Sequence, residues 1–215
     1  MPFSPTSPTP LLCSRQSVSR EVELKGIATD PAAVVAALRA DGADLMFEGR
    51  LYDRRYDTAD RALALRDCVL RLRVYENDEG VSAGLDWKGP TGYEDGYKVR
   101  QELTTGVSEP VALKRMLEDL GYIVTREIDR RIVQYRCRGA VVRMEYYPRM
   151  DVLVEVEGDP DAIEAAIAVT GIPRAEFTTG RLPDFAHAFE LRTGERAAVC
   201  DDELRGIYRY SITDA

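Results

Sequence analysis

Charged and apolar residues alternate strictly in a short segment near the start of the chain, the sequence EVELK at residues 21–25. In an extended strand, successive side chains point to opposite faces of the sheet. Glu21, Glu23 and Lys25 therefore share one face, while Val22 and Leu24 share the other. Taken alone, this pattern is typical of a half-buried strand whose charged face meets solvent.

The same alternation recurs in most later segments with strand character, and this changes the interpretation. Residues of like charge lie side by side on one strand, where they repel each other unless groups of opposite charge lie between them. The like-charged pairs are Arg71 with Arg73, Lys98 with Arg100, Glu21 with Glu23, and Glu155 with Glu157. Two further pairs on a common face carry opposite charges: Asp86 with Lys88, and Arg143 with Glu145.

These pairs indicate a site for a phosphorylated ligand and metal ions. Carboxylate oxygens are ligands that Mg²⁺ and Mn²⁺ prefer, and these ions often bridge to phosphate. Arginine binds phosphate oxygens through two parallel hydrogen bonds. The sequence therefore predicts a site for a polyphosphate with bound divalent cations.

The apolar positions decide where the charged faces point. Helices are predicted within residues 31–42, 110–121, 159–171 and 182–194, and they need apolar sheet surface to cover. The strand faces that carry Val22, Leu24, Leu70, Leu72, Val99 and Leu103 supply it. The charged faces then point at one another inside a closed barrel, and about eight strands leave space for one small ligand. We therefore expect an α+β fold: an eight-stranded antiparallel β-barrel with helices packed on the outside.

Charge and composition limit the class of partner. The net charge of −8 argues against binding to nucleic acid or to an anionic membrane. No apolar run approaches the ~20 residues of a membrane helix, and the first residues lack the features of a signal peptide. These observations predict a cytoplasmic protein that acts on a small molecule, as a monomer or a homodimer.

The 215 residues are expected to form one domain with two tails. Residues 1–17 are rich in Pro, Ser and Thr and are predicted to be flexible. Residues 18–193 are predicted to form the barrel domain. The polar, poorly periodic residues 194–215 are predicted to form a C-terminal tail.

EVELK resembles the ExExK signature of the CYTH superfamily, the triphosphate tunnel metalloenzymes. The likeness spans about residues 18–190 and continues in order through YDRRYDT, LRLR, WKGP, KVRQE and LVEVEG, which begin at residues 52, 70, 87, 98 and 153. The superfamily includes class IV adenylate cyclases, thiamine triphosphatases and inorganic triphosphatases. The resemblance implies a barrel whose basic residues hold a triphosphate and whose acidic residues hold two divalent cations, Mg²⁺ or Mn²⁺.

The resemblance also implies roles for individual residues. The implied metal ligands are Glu21, Glu23, Glu145, Glu155 and Glu157. The implied triphosphate contacts are Lys25, Arg71, Arg73, Lys88, Lys98, Arg100 and Arg131. The implied catalytic residues are Glu21, Glu23, Lys25, Arg73 and Lys88. Glu102 lies on the same face as Arg100 and is expected to orient its basic neighbours.

The chain departs from the superfamily pattern at two places. Glu145 stands where an Asp is usual, so its carboxylate reaches one methylene further. Asp129-Arg130-Arg131 stands where Lys-x-Arg is usual, so Arg131 keeps the arginine while the lysine is lost. Either Arg130 or Arg126 could replace that lysine, and Arg181 could add a further basic contact.

Three functions are compatible with this site. A triphosphatase is the first, because no motif dedicated to reading a nucleobase is present. An adenylate cyclase that converts ATP to cyclic AMP and pyrophosphate is the second, and a binding module without catalysis is the third. His187 is the single histidine and is expected at the surface, so the chemistry should run without a histidine base and suits metal-assisted phosphoryl transfer.

Overall fold

The computed structural model describes residues 18–214, so the predicted flexible segment 1–17 lies outside the described residues. The strands are β1 (Val18–Ile27), β2 (Asp44–Thr58), β3 (Val69–Asn77), β4 (Gly80–Lys88), β5 (Gly92–Glu94), β6 (Tyr97–Gly106), β7 (Tyr122–Cys137), β8 (Ala140–Tyr146) and β9 (Leu153–Glu157). The α-helices are α1 (Pro31–Ala40), α2 (Pro110–Asp119), α3 (Pro160–Thr170), α4 (Leu182–Thr193) and α5 (Asp201–Leu204). Three short 3₁₀ segments cover Ala64–Arg66, Arg174–Glu176 and Ile212–Asp214.

Eight of the strands close into an antiparallel barrel. Around the ring the order is β1-β9-β8-β7-β2-β3-β4-β6, and β6 pairs back with β1. The short strand β5 pairs only with β6 and stands outside the ring. The predicted fold class, an α+β fold with an eight-stranded antiparallel barrel, is therefore confirmed.

The sequence pattern predicts two short strands in one region, YIVTREI from residue 122 and RRIVQYRC from residue 130. This prediction is wrong, because the region forms one 16-residue strand from Tyr122 to Cys137. This strand pairs along most of its length with the 15-residue β2. Asp129 and the two arginines after it resemble a polar break in the sequence, yet their backbone continues the sheet because β2 pairs with all three residues and β8 pairs from Arg131 onward.

The apolar core lies outside the barrel, between the sheet and the helices. Val22 and Leu24 pack with Val34 and Leu38 of α1 and with Ile163 of α3 in the largest cluster. A second cluster packs Leu117 of α2 on β2 and β3, and a third packs Leu182 and Phe185 of α4 on β7 and β9. As predicted, the helices cover the apolar faces of the strands, except at Leu103, which is 37% exposed. The opposite faces, which carry the charges, line the interior of the barrel, called the lumen below.

Local sequence signals begin and end these helices. The side chain of Asp30 accepts a hydrogen bond from the backbone N–H of Ala33 at 3.0 Å, and Pro31 occupies the first turn of α1. Gly42 follows the helix with a φ of +81°, a left-handed conformation that glycine adopts without strain. Within residues 18–214, no helix is long and apolar enough to cross a membrane.

The chain after α4 packs against the barrel, so the boundary predicted at residue 193 does not mark the end of the packed domain. Ala198 and Val199 are fully buried, and Ala198 forms a β-bridge with Arg149. Arg126 is also fully buried and donates two hydrogen bonds to the carboxylate of Glu203 in α5, at 2.7 and 3.1 Å. The polar composition of this segment concealed these tertiary contacts.

Candidate active site

The lumen is a cavity of about 230 Å³ whose wall is dominated by charged side chains. All eight barrel strands contribute to them, β4 and β7 with one each. Its volume suits a small ligand and not a polymer. Most of the predicted site residues meet here: Glu21, Glu23, Lys25, Arg71, Arg73, Lys88, Lys98, Arg100, Glu145, Glu155 and Glu157 all line this cavity. The alternation read from the sequence therefore brings these side chains together.

A central carboxylate, Asp53 on β2, holds several of the lumen arginines. It accepts hydrogen bonds from Arg73 Nε and Arg130 Nη1, each at 3.0 Å, and Arg71 Nη1 lies 3.7 Å away. Burial alone would raise the pKa of Asp53, but the arginines, Arg73 first, hold this pKa well below its usual range. Asp86 binds the other side of Arg71 at 2.9 Å. Asp53 and Asp86 thus fix the arginine side chains in place before any ligand arrives.

Lys25 lies between two carboxylates in the same way. Its ammonium is 3.0 Å from Glu23 and also pairs with Glu155. Burial would lower the pKa of Lys25, yet the charges of Glu155 and Glu23 outweigh burial and raise it. Lys25 is therefore a fixed positive charge at neutral pH and not a proton acceptor.

Three carboxylates from neighbouring strands β1, β6 and β9 converge, and one lysine, Lys88, pairs with two of them. One oxygen each from Glu21, Glu102 and Glu157 lies within 4.8 Å of the others, and we call these three residues the carboxylate cluster. Glu21 pairs with Lys88 through Oε1, but its buried Oε2 has no hydrogen-bond partner among the described residues. Burial, with the nearby charges of Glu155 and Glu21, raises the pKa of Glu157 to about 7.

This cluster has the donor set that a hard divalent cation prefers: several carboxylate oxygens, one of them without a partner. The other implied metal ligands are engaged differently. Glu23 and Glu155 pair with lysine and arginine, and Glu145 accepts hydrogen bonds from Arg130 Nε and from the Tyr147 hydroxyl, each at 2.8 Å. Glu102, expected only to orient its basic neighbours, lies among the candidate ligands.

Two lumen arginines have no carboxylate partner within 4.0 Å among residues 18–214. Arg100 donates to the backbone carbonyls of Gly89 and Asp67, at 2.7 and 2.6 Å. Arg55 donates to the carbonyl of Asp214 at 3.1 Å, and its buried Nε has no partner. Burial and the nearby charge of Arg71 lower the pKa of Arg55 to about 9, so it remains protonated at neutral pH. These two guanidinium groups leave part of the lumen with uncompensated positive charge.

The implied phosphate contact Arg131 is placed wrongly by the sequence reasoning. Its side chain points out of the barrel, is 46% exposed, and pairs with Glu48. Adjacent residues of a strand face opposite sides, so only one of the two arginines can enter the lumen, and Arg130 does. Arg126, the other candidate, binds Glu203 instead and does not line the cavity. Arg181 lies at the rim of the cavity with 57% of its side chain exposed.

The sequence reasoning missed Asp53 and Arg55 because β2 carries charges on both faces. In the segment Asp53-Arg54-Arg55, the middle arginine points out of the lumen toward Glu127 and Asp129, which hides the alternation. Asp53, Arg55 and Asp57 stand at alternate positions and so share one face of the strand, which was the signal available in the sequence. His187 lies exposed on α4, as expected, and does not line the lumen.

No protein-family model and no curated protein matches the sequence. Solved structures do match. A Vibrio parahaemolyticus protein provisionally named an adenylate cyclase gives a TM-score of 0.67 at 19% identity, covering 79% of this chain and 98% of that chain. A Hippeastrum protein, HpAC1, provisionally named an adenylyl cyclase but described with a dominant triphosphatase activity, gives 0.56 at 15% identity over 83% and 97%.

A chain of the Schizosaccharomyces pombe Mediator head module also matches, with a TM-score of 0.52 at 15% identity over 70% of this chain and 90% of that chain. At such identities the likeness establishes the fold. It confirms the barrel that the resemblance to the triphosphate tunnel metalloenzymes implied. Because chains with such different names share this fold, an activity has to be argued from the lumen itself.

Proposed function

We propose that this chain is a divalent-metal-dependent triphosphatase that hydrolyses a small triphosphate inside the lumen. The observation that carries the proposal is the division of charge in one enclosed cavity. The carboxylate cluster has an excess of negative charge, while Arg55 and Arg100 have no carboxylate partner. A triphosphate with bound Mg²⁺ or Mn²⁺ would neutralise both charges, because the cation binds the carboxylates and the phosphate oxygens bind the arginines.

The residues of the chain hold the substrate and orient it. Glu21, Glu102 and Glu157 would hold one divalent cation, and we expect the active site to bind two. When bound, the metal supplies charge neutralisation and an activated water. Arg71, Arg73 and Arg130 are fixed by Asp53, Asp86 and Glu145, so they need little reorganisation to bind phosphate.

An adenylate cyclase is the second candidate, favoured by the provisional name of the Vibrio parahaemolyticus neighbour. The same phosphate contacts would serve if the ribose 3′-hydroxyl attacked the α-phosphorus and pyrophosphate left. A cyclase needs a surface that binds adenine, whereas most of the residues that line the lumen are charged. This composition favours substrates recognised by their phosphates, and hence the triphosphatase.

Product analysis tests the proposal directly. Purified protein is incubated with tripolyphosphate, ATP or thiamine triphosphate, with Mg²⁺, with Mn²⁺ or with EDTA, and products are identified by phosphorus NMR. We expect tripolyphosphate to be cleaved to pyrophosphate and phosphate at least as well as ATP, and EDTA to abolish turnover. Cyclic AMP and pyrophosphate as main products from ATP would favour the cyclase. Undiminished turnover in EDTA would rule out a metal-dependent reaction.

Two neighbouring arginines provide a matched test of the lumen. Arg130→Ala removes a buried cation bound to Asp53 and Glu145 and should lower turnover of tripolyphosphate by roughly ten-fold or more. Arg131→Ala removes the same side chain from the outer face, where an exposed pair with Glu48 contributes about 0–1 kcal/mol to stability. Its turnover should stay within about two-fold of the wild type. Equal losses in the two variants would contradict the assignment of Arg130 to the site.

A further inference from the structure

Arg55 is a lumen cation to which neither the motifs nor the resemblance assigned a role. It lies on β2 beside Arg71, Arg100 and Arg130, whose charges act on it together with that of Asp53. Its Nε is buried and has no hydrogen-bond partner among the described residues. A buried donor without an acceptor costs stability, so its retention calls for a ligand that supplies one.

The neighbouring arginines differ from Arg55 in how their charge is balanced. Arg71 pairs with Asp86, and Arg130 pairs with both Asp53 and Glu145. Among residues 18–214, Arg55 has only a neutral acceptor, the backbone carbonyl of Asp214. Asp53, whose negative charge acts on Arg55, is already shared by three other arginines. An anionic ligand would supply the negative charge that these residues leave missing.

The position of Arg55 in the ring indicates which part of a ligand it meets. The carboxylate cluster is centred on β1, with members on the adjacent strands β6 and β9. Strand β2 is four strands away from β1 in both directions around the ring of eight. Arg55 thus lies on the wall opposite the cluster, next to Thr213 and Asp214. A linear phosphate chain with one end at the cluster would cross the lumen toward Arg55.

We propose that Arg55 binds the phosphate group of the substrate that lies farthest from the carboxylate cluster, and so favours a chain of three phosphates over a shorter one. This inference rests on the proposed function, because it assumes a polyphosphate in the lumen. It adds a specificity-determining residue and a direction for the bound chain.

Calorimetric titration in the presence of Ca²⁺, a divalent cation that also takes carboxylate and phosphate oxygens, tests the inference through binding. Tripolyphosphate and pyrophosphate are titrated into the wild type and into Arg55→Gln, a variant that keeps a donor for the Asp214 carbonyl but removes the charge. Arg55→Gln should weaken tripolyphosphate binding by roughly ten- to a hundred-fold and pyrophosphate binding much less. Arg50→Ala is the matched control, because Arg50 is a β2 arginine that pairs with Asp201 and does not line the lumen. It should bind both ligands as the wild type does.

A second readout separates binding from a structural role. Removing an uncompensated cation relieves its repulsion with Arg71, so Arg55→Gln without ligand should melt at or above the wild-type temperature. The rise in melting temperature that tripolyphosphate causes should shrink. A fall in the ligand-free melting temperature with unchanged tripolyphosphate affinity would show a structural role and overturn the inference.

Arg100→Ala separates failure of this inference from failure of the proposed function. If Arg100→Ala weakens tripolyphosphate binding and Arg55→Gln does not, the role of Arg55 is wrong and the lumen remains the binding site. Equal losses for tripolyphosphate and pyrophosphate in Arg55→Gln would refute the proposed direction of the chain. Absence of tripolyphosphate binding by the wild type, with or without Mg²⁺, would overturn the proposed function as well.

Discussion

Glu157→Gln is expected to make the metal-free protein more stable and to remove most of its activity. The raised pKa of Glu157 means that the folded state holds a proton up to about pH 7, whereas the unfolded carboxyl releases it near 4.5. Stability is therefore lost as the pH rises through this interval. The neutral amide avoids that loss of stability, which is on the order of 2 kcal/mol for this partly buried group. At pH 8 the variant should therefore melt about 4–8 °C above the wild type.

The same substitution removes one of three carboxylates from the carboxylate cluster, so turnover should fall by roughly a hundred-fold or more if the cluster holds the cation. Melting curves at pH 5 and pH 8 in EDTA, with turnover of tripolyphosphate in Mg²⁺, measure both effects. Glu155→Gln is the matched control on the same strand. Its carboxylate pairs with Lys25 and Arg143, which hold its pKa low, so its loss should destabilise the protein at pH 8. Destabilisation by Glu157→Gln at pH 8 would contradict the inference that the negative charge of the carboxylate cluster destabilises the metal-free protein.

Asp53→Asn is expected to cause the largest loss of stability in the lumen. The substitution keeps the shape of a side chain that is 1% exposed but leaves Arg73, Arg130 and Arg71 without their shared carboxylate. Removing one partner from a buried ionic network costs about 3–5 kcal/mol. Because the pKa of Asp53 is lowered, its contribution is present above the usual carboxyl range and is lost at acid pH. The difference in stability between wild type and variant should therefore begin to shrink as the pH falls below about 4, and should vanish only well below the usual carboxyl range.

Urea unfolding at pH 7 measures this loss, and Glu48→Gln, which changes an exposed pair with Arg131, serves as the control with an expected effect of about 0–1 kcal/mol. Tripolyphosphate should restore part of the stability of Asp53→Asn, because its oxygens replace the missing negative charge and bind only the folded state. A variant as stable as the wild type would show that the arginines do not depend on Asp53.

The strands that were predicted well are those in which the charged residues stand at every second position and so lie on one face. Glu21 and Glu23 on β1, and Arg71 and Arg73 on β3, alternate with apolar residues, so both the pairing and the inward face could be read. On β2 the alternate spacing of Asp53, Arg55 and Asp57 was the available signal, whereas on β7 two arginines are consecutive and the sequence offers no rule for choosing the one that faces inward. Arg130, and not Arg131, enters the lumen because of the register of β7 with its two neighbours.

The packing of residues 194–214 could not be predicted for a different reason. The local sequence has no strong periodicity, and its order comes from distant partners, such as Arg126 for Glu203 and Arg149 for Ala198. The carboxylate cluster likewise depends on the pairing of β1 with both β6 and β9 and not on any one motif. The sequence pattern therefore predicts which residues of one strand share a face. The convergence of Glu102 with Glu21 and Glu157 becomes visible only when the strands are closed into a ring.

The placement of the apolar core outside the barrel has a consequence for how such a protein can change over evolutionary time. In most small domains the hydrophobic core fills the interior, so a new interior side chain disturbs the packing that holds the fold. Here the helices and the outer sheet face supply that packing, and most of the residues that line the lumen are charged. Compensated exchanges, in which a cation and its carboxylate change together, leave the outer core untouched. One scaffold can thus acquire a different interior chemistry in few steps, each of which keeps the sum of charges in the lumen constant.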